Sequence, residues 1–335
     1  MEAPDRAESG QRDNFARLSL FFLKLLAARW YRPEPLTADP SWHVGTYSDS
    51  LPRWRQRLKH LWSLLHDEGG PDVAVTVRWH LGVKLRLPLN DEIAKCVFVD
   101  GVFEPSQFLF LDAYLKPGMV FVDAGANNGL YTLFAARKVG RKGSVLAFEP
   151  SERELSKLTK NVRLNRLRNV QSFRVALGEG HSTGMLHVAG LPYSGHNSLG
   201  PFGYESTLID HEEPVEIQAL DNLEAVEKLA RIDVMKLDVE GGELSLLRGA
   251  RASLTRFRPL ILIELSDRTL GKQGASVAQT VELLTSSGYR MRRFGPDGKL
   301  LSFDEFDAHD GENGLAVPNE LLEGVALSVG PRRSG

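Results

Sequence analysis

Acidic side chains follow apolar runs at several points of the chain, where they could bind a ligand or accept a proton. The first is Asp123, near the end of the run Val120–Ala124, and a turn from Gly125 to Gly129 comes directly after it. Glycines in such a turn let the backbone approach a ligand closely. The carboxylate would repel a diphosphate and attract a cationic amino-acid group. The turn by itself also fits any nucleotide-binding protein, or a structural connection between a strand and a helix.

A second acid, Glu149, directly follows the apolar run Ser144–Phe148. A carboxylate at this place, one strand after a glycine turn, can accept hydrogen bonds from the hydroxyl groups of a ribose. The dinucleotide pattern G-x-G-x-x-G is not met, because Asn127 and Leu130 stand where it requires glycine. The turn and its two acids together favour an adenosine ligand with an amino-acid tail, and S-adenosylmethionine fits that description better than NAD.

A third acidic cluster contains Asp238 and Glu240, and Glu264 ends the next apolar run along the chain. These carboxylates could act as a general base, as anchors for substrate hydroxyl groups, as a structural salt network or as ligands of a hard metal ion. We favour the base and the anchors, and we predict no metal. Lys236 lies in the apolar run before Asp238, and a buried ammonium group must be paired.

A histidine in a later loop competes with these acids for the role of the base. His196 lies in the glycine-containing loop Ser194–Ser198, which follows the third expected strand and could become ordered over a substrate. Its imidazole can titrate near neutral pH, although a histidine on the surface fits the sequence equally well. We expect its neighbour Asn197 to contact the substrate.

Apolar runs of four to seven residues alternate with amphipathic segments beyond residue 118. This alternation predicts a parallel β-sheet with helices on both faces, that is, an α/β three-layer sandwich. The expected strands are Val120–Ala124, Ser144–Phe148, Val170–Ala176, Asp233–Leu237, Pro259–Glu264, Tyr289–Phe294 and Val325–Val329, the last one antiparallel. The expected helices are Leu130–Val139, Glu152–Asn165, Gly242–Leu254 and Val277–Ser287. Because ligands of such sheets bind at the carboxyl ends of the strands, the acids should meet at one edge.

The chain divides by character into three regions. All five tryptophans lie before residue 80, and residues 1–71 are predicted to form a helical, tryptophan-rich extension. This extension would serve as a hydrophobic cap, a lid, a dimer contact or a platform for the acceptor. Residues 72–118 are predicted as a hairpin and helices that lead into the core. Residues 119–331 are predicted as the main domain, with a hairpin inserted at about 178–222.

The composition argues against several classes of protein. The 335 residues carry a net charge of −2, so the chain lacks the positive charge by which proteins bind nucleic acid. The single cysteine, Cys96, excludes a disulfide framework and suits the cytoplasm. No secretory signal is visible, and the apolar window Leu18–Ala28 is shorter than the ~20 residues of a transmembrane helix. A peripheral membrane contact through residues 15–30 and a homo-oligomer stay open.

The motifs around the acids resemble those of the FkbM family of S-adenosylmethionine-dependent methyltransferases. The resemblance extends from about residue 90 to 295 and rests on Gly101–Pro105, Phe121–Gly129, Ala147–Pro150, Asn161–Asn165, Ile232–Glu243 and Arg258–Pro259. In the first stretch, Phe103 stands where the family commonly has tyrosine. The resemblance implies a class I methyltransferase fold, which is Rossmann-like, with a mostly parallel seven-stranded sheet. It also implies a set of cofactor-binding residues: Asp123, Gly125 and Asn127 at the methionine part, Glu149 at the ribose, and in addition Gly129 and Glu104.

The resemblance implies an O-methyltransferase (EC 2.1.1.-) that acts on a hydroxyl group of a sugar, a glycolipid or a natural product. The alternatives are a methyltransferase for nucleic acid or protein and a non-catalytic scaffold that binds an adenosyl ligand. A nucleic-acid enzyme that methylates amino groups would carry an Asn/Asp-Pro-Pro-aromatic motif where this chain has Asp238-Val239-Glu240-Gly241. A scaffold would have lost the acids of the cleft, which this chain retains. We therefore expect Asp238 or Glu240, with His196 as competitor, to take the proton of the hydroxyl group.

Overall fold

A computed structural model of the chain describes Gln56 and residues 74–88, 90–295, 298–304 and 312–328. Apart from Gln56, the extension predicted over residues 1–71 lies outside the described residues, and so does the window Leu18–Ala28. The described part of the chain divides into two units, the first ending at Phe103 and the second beginning at Glu104. Among the described helices, none is long and apolar enough to cross a membrane.

The first unit contains an antiparallel hairpin of strands β1 (Ala74–Arg78) and β2 (Lys84–Pro88). A short 3-10 turn joins them, and Leu81 has a positive φ of 54° there. The indole of Trp79 is buried, and its Nε1 donates a hydrogen bond of 3.0 Å to the carbonyl oxygen of Gly101. This tryptophan therefore holds the chain after the hairpin against the hairpin itself.

A short helix and a π-helical turn follow the hairpin in the first unit. Helix α1 (Glu92–Lys95) begins after Asp91, whose side chain accepts a hydrogen bond of 3.0 Å from the backbone N–H of Ala94. The π-helical turn Cys96–Asp100 continues it. Burial raises the pKa of the Cys96 thiol to about 12, so this side chain stays a neutral thiol at physiological pH.

The second unit is built on an eight-stranded sheet. The strands of the unit, in chain order, are β3 (Val120–Ala124), β4 (Ser144–Phe148), β5 (Val170–Phe173), β6 (Ala176–Leu177), β7 (Ser182–Ala189), β8 (Ile209–Gln218), β9 (Val234–Leu237), β10 (Leu260–Leu265), β11 (Tyr289–Phe294), β12 (Leu300–Leu301) and β13 (Glu312–Pro318). The order in the sheet is β12–β11–β13–β10–β9–β3–β4–β5. The strands from β10 to β5 are parallel, and β13 lies antiparallel between β10 and β11. The parallel α/β architecture predicted from the sequence is confirmed.

Helices pack against the sheet and bury its strands. They are α2 (Pro105–Tyr114), α3 (Leu130–Val139), α4 (Glu152–Leu164), α5 (Glu224–Glu227), α6 (Glu243–Arg248), α7 (Arg251–Phe257), α8 (Asp267–Leu270), α9 (Val277–Ser286) and α10 (Leu322–Ser328). Leu247, Leu254 and Leu284 from α6, α7 and α9 belong to one apolar cluster with the sheet. Phe108 of α2 stacks on Tyr131 of α3, with the ring centroids 4.4 Å apart. The continuous apolar strands are thus explained by burial, as in other parallel sheets.

A second, three-stranded sheet is inserted between β5 and β9. Its order is β6–β8–β7, and β7 pairs antiparallel with β8 along nearly its whole length. The segment 190–208 connects these two long strands and contains the loop around His196. We call β6, β7, β8 and this segment the inserted sheet. It corresponds to the hairpin expected at about 178–222.

The antiparallel end of the large sheet differs from the prediction. The sheet has eight strands instead of seven, because Leu300–Leu301 adds a short edge strand. The strand predicted at Val325–Val329 is wrong, since the chain is helical in α10 as far as Ser328. The antiparallel strand is β13, in which Leu315, Ala316 and Val317 are buried. A short apolar run fits a strand and a buried helical turn equally well, so periodicity could not separate the two.

The single helix predicted over Gly242–Leu254 is interrupted, and α6 and α7 are separate helices. The break falls at Gly249, which packs against the backbone of Gly178, the residue directly after β6. A Cβ atom at Gly249 would lie 1.9 Å from the carbonyl oxygen of Gly178. The close approach of two backbones ends α6 here, and the amphipathic pattern alone does not reveal it.

Arg258 fastens the antiparallel end of the sheet to α7. It follows α7 with a left-handed φ of 51°, and its guanidinium lies 4.5 Å from the ring centroid of Tyr289. Nη1 and Nη2 donate hydrogen bonds of 2.8 Å to the carbonyl oxygens of Ser287 and Gly288. Arg258 also pairs with Glu320 at 2.8 Å. The Arg258-Pro259 motif is thus explained by these structural contacts.

We expect Arg258→Ala to lower the free energy of unfolding by about 1–3 kcal/mol, because two carbonyl groups lose their donors. Urea unfolding followed by circular dichroism measures the change. Arg290→Ala, an exposed arginine on β11, is the matched control and should change the free energy by less than about 0.5 kcal/mol. Equal effects of the two substitutions would contradict the role of Arg258.

Candidate active site

The carboxyl ends of β3 and β9 lie side by side, and the glycine turn touches both. In the parallel pairing of the two strands, Asp123 of β3 lies opposite Lys236 of β9. The N–H of Asp238 donates a hydrogen bond of 3.2 Å to the carbonyl oxygen of Ala124. Gly125 has a φ of 76°, and a Cβ atom there would lie 1.7 Å from the carbonyl oxygen of Asp238. Only glycine allows this contact. The strand order reverses between β3 and β9, and open α/β sheets bind ligands at such a switch point.

Asp123 is fully buried at this switch point, and its carboxylate is only partly used by the protein. Thr132 of α3 donates a hydrogen bond of 2.5 Å to Oδ2, whereas Oδ1 has no hydrogen-bond partner in the described part of the chain. Burial raises the pKa of Asp123, and the charge of Lys236 opposes this rise. A buried oxygen without a donor is uncommon in proteins, and here it offers an acceptor to a ligand.

Glu149 stands at the end of β4 and is held by two backbone N–H groups. Asn127 of the glycine turn donates to Oε2 at 2.7 Å, and Ser151 donates to Oε1 at 3.0 Å. Burial, and then the charge of Glu154, raise the pKa of Glu149 to about 8. Each carboxylate oxygen keeps a further lone pair, so hydroxyl groups can still donate to it.

The glycine turn is also fastened to the inserted sheet. Asn127 adopts a left-handed φ of 48°, and its Oδ1 accepts a hydrogen bond of 2.6 Å from the N–H of Asn128. Its Nδ2 donates to the carbonyl oxygen of Ser194 at 2.9 Å. Gly129 has a φ of 93° and directly precedes α3. The side chain of Asn127 therefore joins the predicted cofactor turn to the segment that carries His196.

Lys236 is buried among carboxylates behind the glycine turn. Its Nζ lies 2.6 Å from Oδ2 of Asp238 and 4.7 Å from the centroid of the Tyr131 ring. Burial alone would lower the pKa of the ammonium group, but the charges of Asp238, Asp123 and Glu104 raise it above its usual value. Lys236 therefore stays charged, and the expectation that it must be paired is confirmed.

Glu104 lies near Lys236 but uses both of its carboxylate oxygens within the protein. It has a left-handed φ of 48° directly before Pro105, which begins α2. The hydroxyl group of Tyr131 donates to Oε2, and Nδ2 of Asn313 donates to Oε1 at 2.5 Å. Burial raises the pKa of Glu104. The predicted cofactor contact of Glu104 would have to form in addition to these two bonds.

Asp238, Glu240 and Glu264 bring their carboxylates together at the ends of β9 and β10. One oxygen from each lies within 4.8 Å of the others. Burial, followed by the charge of Asp238, raises the pKa of Glu240 and of Glu264 well above the usual value. Burial acts in the same direction on Asp238, but Lys236 outweighs it and lowers the pKa of Asp238. One carboxylate with a lowered pKa beside two with raised pKa values can anchor hydroxyl groups, and three oxygen ligands also suit a hard divalent ion.

The backbone of Glu240 is fixed by two donors that the sequence did not single out. Glu240 has a left-handed φ of 50°. Oγ of Ser198 donates to its carbonyl oxygen at 2.9 Å, and Nε2 of Gln273 donates to the same oxygen at 3.0 Å. Left-handed residues other than glycine are strained, and they collect at functional sites. Ser198 belongs to the inserted sheet, which thus contacts this turn as well.

His196 is stacked between two tyrosine rings. The centroid of its imidazole ring lies 5.5 Å from the centroid of the Tyr193 ring and 4.7 Å from that of the Tyr204 ring. Its Nδ1 is 2.9 Å from Oγ1 of Thr207, and in the described part of the chain its Nε2 has no hydrogen-bond partner. Burial lowers the pKa of His196, with Asp238 acting in the opposite direction. The imidazole is therefore neutral near pH 7 and can accept a proton.

The sequence-predicted residues fall into groups around the switch point. Those at the carboxyl ends of the strands, or in the turns that follow them, are Asp123, Gly125, Asn127, Gly129, Glu149, Asp238, Glu240 and Glu264. Asn197 is engaged elsewhere, because its Oδ1 accepts a hydrogen bond of 2.9 Å from the N–H of Ala189. Sequence reasoning missed Asn313 and Gln273, for which no motif existed. It noted Lys236 as an unusual charge in an apolar strand.

These residues fit S-adenosylmethionine. The unpartnered Oδ1 of buried Asp123 suits the ammonium group of the methionine part, and Glu149 suits the hydroxyl groups of the ribose. The carbonyl oxygen of Asp238 lies against the glycine turn, and the charge of its carboxylate is paired with Lys236. The acids and the glycine turn thus match the charges and the hydroxyl groups of this cofactor.

Comparison with known proteins identifies similar chains. The family model described as "Methyltransferase FkbM domain" matches residues 123–291. Among curated proteins, "Methyltransferase 1" of Beauveria bassiana is 29% identical over 221 residues, which are 61% of this chain and 83% of that protein. "AMB antimetabolite synthetase AmbE" of Pseudomonas aeruginosa is 25% identical over 290 residues, which are 75% of this chain but 13% of that protein. The crystal structure of methyltransferase FkbM from Methylobacillus flagellatus is 18% identical with a TM-score of 0.38, and the match covers 59% of this chain and 43% of that one.

We expect the unliganded protein to lose stability between about pH 4.5 and pH 8 because of Glu149. Its pKa is about 8 in the folded protein and near 4.5 when unfolded, so the folded state binds more protons in this window. The contribution of Glu149 to the free energy of unfolding is fully present below pH 4.5 and falls as the pH rises towards 8. Glu149→Gln removes this dependence and should reduce the loss between pH 5 and pH 8 by about 2–4 kcal/mol.

Urea unfolding at pH 5 and pH 8 measures this difference. The exposed Glu227→Gln is the matched control, because it makes the same change on α5, away from the site. A pH dependence that is equal in the wild type and in Glu149→Gln would contradict the raised pKa.

Proposed function

Because this chain belongs to the FkbM methyltransferase family, we propose that it transfers a methyl group from S-adenosylmethionine to a hydroxyl group of a sugar, a glycolipid or a natural product. The family match covers the glycine turn, Glu149, the Asp238–Glu240 turn and Glu264. The similarity to AmbE, an antimetabolite synthetase, supports including natural-product alcohols among the acceptors to test.

One observation carries this proposal: the glycine turn is in direct contact with Asp238 of the acidic cluster. The carbonyl oxygen of Asp238 fills the space where a Cβ atom of Gly125 would lie. A methyl donor on the turn would therefore lie next to the carboxylates of Asp238, Glu240 and Glu264. An acceptor hydroxyl group anchored by these carboxylates would meet the donor at that place.

The cofactor supplies a methyl group that is already activated by its sulfonium charge. The protein then has to align the acceptor with it and exclude water. We assign Asp123 to the ammonium group of the cofactor and Glu149 to its ribose. Glu264, whose pKa is raised by burial and by the charge of Asp238, would anchor an oxygen of the acceptor by a hydrogen bond.

Three groups compete to accept the proton of the acceptor hydroxyl. Asp238 is ionised at neutral pH, but its ion pair with Lys236 at 2.6 Å makes it a weak base. Glu240 has a raised pKa and would be the stronger base once ionised. His196 is neutral, and its Nε2 is available. A base in this place should accelerate transfer by about 10²–10⁴-fold.

Calorimetric titration with S-adenosylmethionine and, separately, with NAD tests the cofactor. We expect binding of the first ligand alone. Asp123→Asn should weaken that binding about 10- to 100-fold, because a charge-assisted contact to the ammonium group is lost while Thr132 keeps its acceptor.

The control for this titration is Glu227→Gln, which removes a carboxylate outside the site. Binding of NAD, or an unchanged affinity of Asp123→Asn for S-adenosylmethionine, would contradict the assigned cofactor site.

Transfer from S-adenosylmethionine with a tritiated methyl group tests the reaction, with methyl glycosides, glycolipids and polyketide alcohols as acceptors. We expect Asp238→Asn to lower turnover about 10²–10⁴-fold, whether Asp238 accepts the proton or anchors the acceptor. The affinity for the cofactor should change little, because the amide keeps an oxygen for Lys236. Wild-type turnover of Asp238→Asn would refute a role of this carboxylate in the reaction.

A further inference from the structure

The inserted sheet reaches the ribose side of the candidate site through one buried carboxylate. Glu213 lies in β8 and is 7% exposed, at an inward position of the same kind as Val215. Its neighbour Glu212 is exposed. A glutamate in place of an apolar residue is costly to bury unless its charge is satisfied, so its contacts show what it holds.

Glu213 caps the first turn of α4. Its Oε2 accepts a hydrogen bond of 2.9 Å from the N–H of Glu152, and its Oε1 accepts one of 3.4 Å from Oγ of Ser151. Arg174 donates from Nη2 to Oε2 at 3.1 Å, and Nε2 of His211 lies 3.0 Å from Oε1. Burial alone would raise the pKa of Glu213, but these donors lower it, so the side chain is ionised at neutral pH.

The residues that Glu213 holds form the turn that orients Glu149. The N–H of Ser151 donates to Oε1 of Glu149 at 3.0 Å. Arg174, which pairs with Glu213, also donates from Nε to the carbonyl oxygen of Pro150 at 3.4 Å. The turn is thus fixed from both sides, at Pro150 and at Ser151, by groups that meet at Glu213. Without this carboxylate, the first turn of α4 and the N–H of Ser151 would be free to reorient.

We propose that Glu213 is a positioning residue for the ribose subsite, which fixes the turn from Pro150 to Glu152 so that Glu149 presents its oxygens to the two ribose hydroxyl groups. This inference rests on the proposed function, because it takes S-adenosylmethionine as the ligand. It gives the inserted sheet a part in cofactor recognition, although Glu213 acts through the turn and not by a contact of β8 with the ligand.

The test compares two ligands that differ only at the ribose, S-adenosylhomocysteine and its 2′-deoxy counterpart, by calorimetric titration of the full chain. The wild type should prefer the ribose ligand about tenfold, as expected for one hydrogen bond. Glu213→Ala should weaken binding of the ribose ligand about 5- to 10-fold and leave the deoxy ligand within about twofold, so the preference nearly disappears. In Glu213→Gln, which keeps an acceptor for the N–H of Glu152 but loses the charge that pairs with Arg174, the preference should fall only about two- to threefold.

Glu212→Ala is the matched control, because it removes the neighbouring glutamate of the same strand, whose side chain is half exposed. It should keep the wild-type preference. A Glu213→Ala variant that binds both ligands as tightly as the wild type, or that weakens both equally, would overturn the inference, since a merely structural role moves both affinities together. Failure of the wild type to bind S-adenosylhomocysteine would overturn the proposed cofactor and this inference with it. If Glu213→Ala does not fold, Glu213→Gln decides: a ribose preference lowered about two- to threefold at an unchanged affinity for the deoxy ligand supports the inference, and an unchanged preference or an equal weakening of both ligands overturns it.

Discussion

One buried ammonium group keeps the acidic end of the sheet from repelling itself. Lys236 lies on β9 between carboxylates that arrive from different parts of the chain, and it interacts with Asp238, Asp123 and Glu104. Like charges so close together in a poorly solvated place would force several of these groups to take up protons or would destabilise the fold. The ion pair of Lys236 with Asp238 settles which carboxylate is ionised. The charge of Asp238 in turn adds to the effect of burial and raises the pKa values of Glu240 and Glu264.

The consequence is a division of tasks among chemically similar side chains. Asp238 keeps its negative charge, whereas Glu240 and Glu264 have strongly raised pKa values because they face that charge in a buried site. Environments that separate the pKa values of neighbouring acids are how active sites obtain both donors and acceptors from one residue type. The same cluster can therefore offer a ligand a hydrogen-bond donor beside a carboxylate.

The sequence predicted those features that local pattern and topology determine, and it missed those that depend on distant contacts. The acids at the ends of β3, β4, β9 and β10 could be expected to converge, because carboxyl ends of parallel strands share an edge. The contact of Glu104 with Asn313 joins positions 209 residues apart, and no local signal announces it. The wrong strand at Val325–Val329 arose in the same way, since the partners of β13 lie elsewhere in the chain. Periodicity describes one segment, whereas these contacts belong to the assembled sheet.

The inserted sheet touches the site at three points with different chemistry. Two of these contacts are hydrogen bonds to a backbone carbonyl oxygen. Nδ2 of Asn127 donates to the carbonyl oxygen of Ser194 in the inserted sheet, and Oγ of Ser198 in the inserted sheet donates to that of Glu240. A carbonyl acceptor is present whatever the side chain is, so Ser194 could be replaced without removing its contact. The contacts of Ser198 and Glu213, in contrast, depend on side chains of the inserted sheet, and Glu213 holds the turn next to Glu149. The side chain at position 194 can therefore vary without loss of the contact with Asn127, whereas Ser198 and Glu213 are required for the other two contacts.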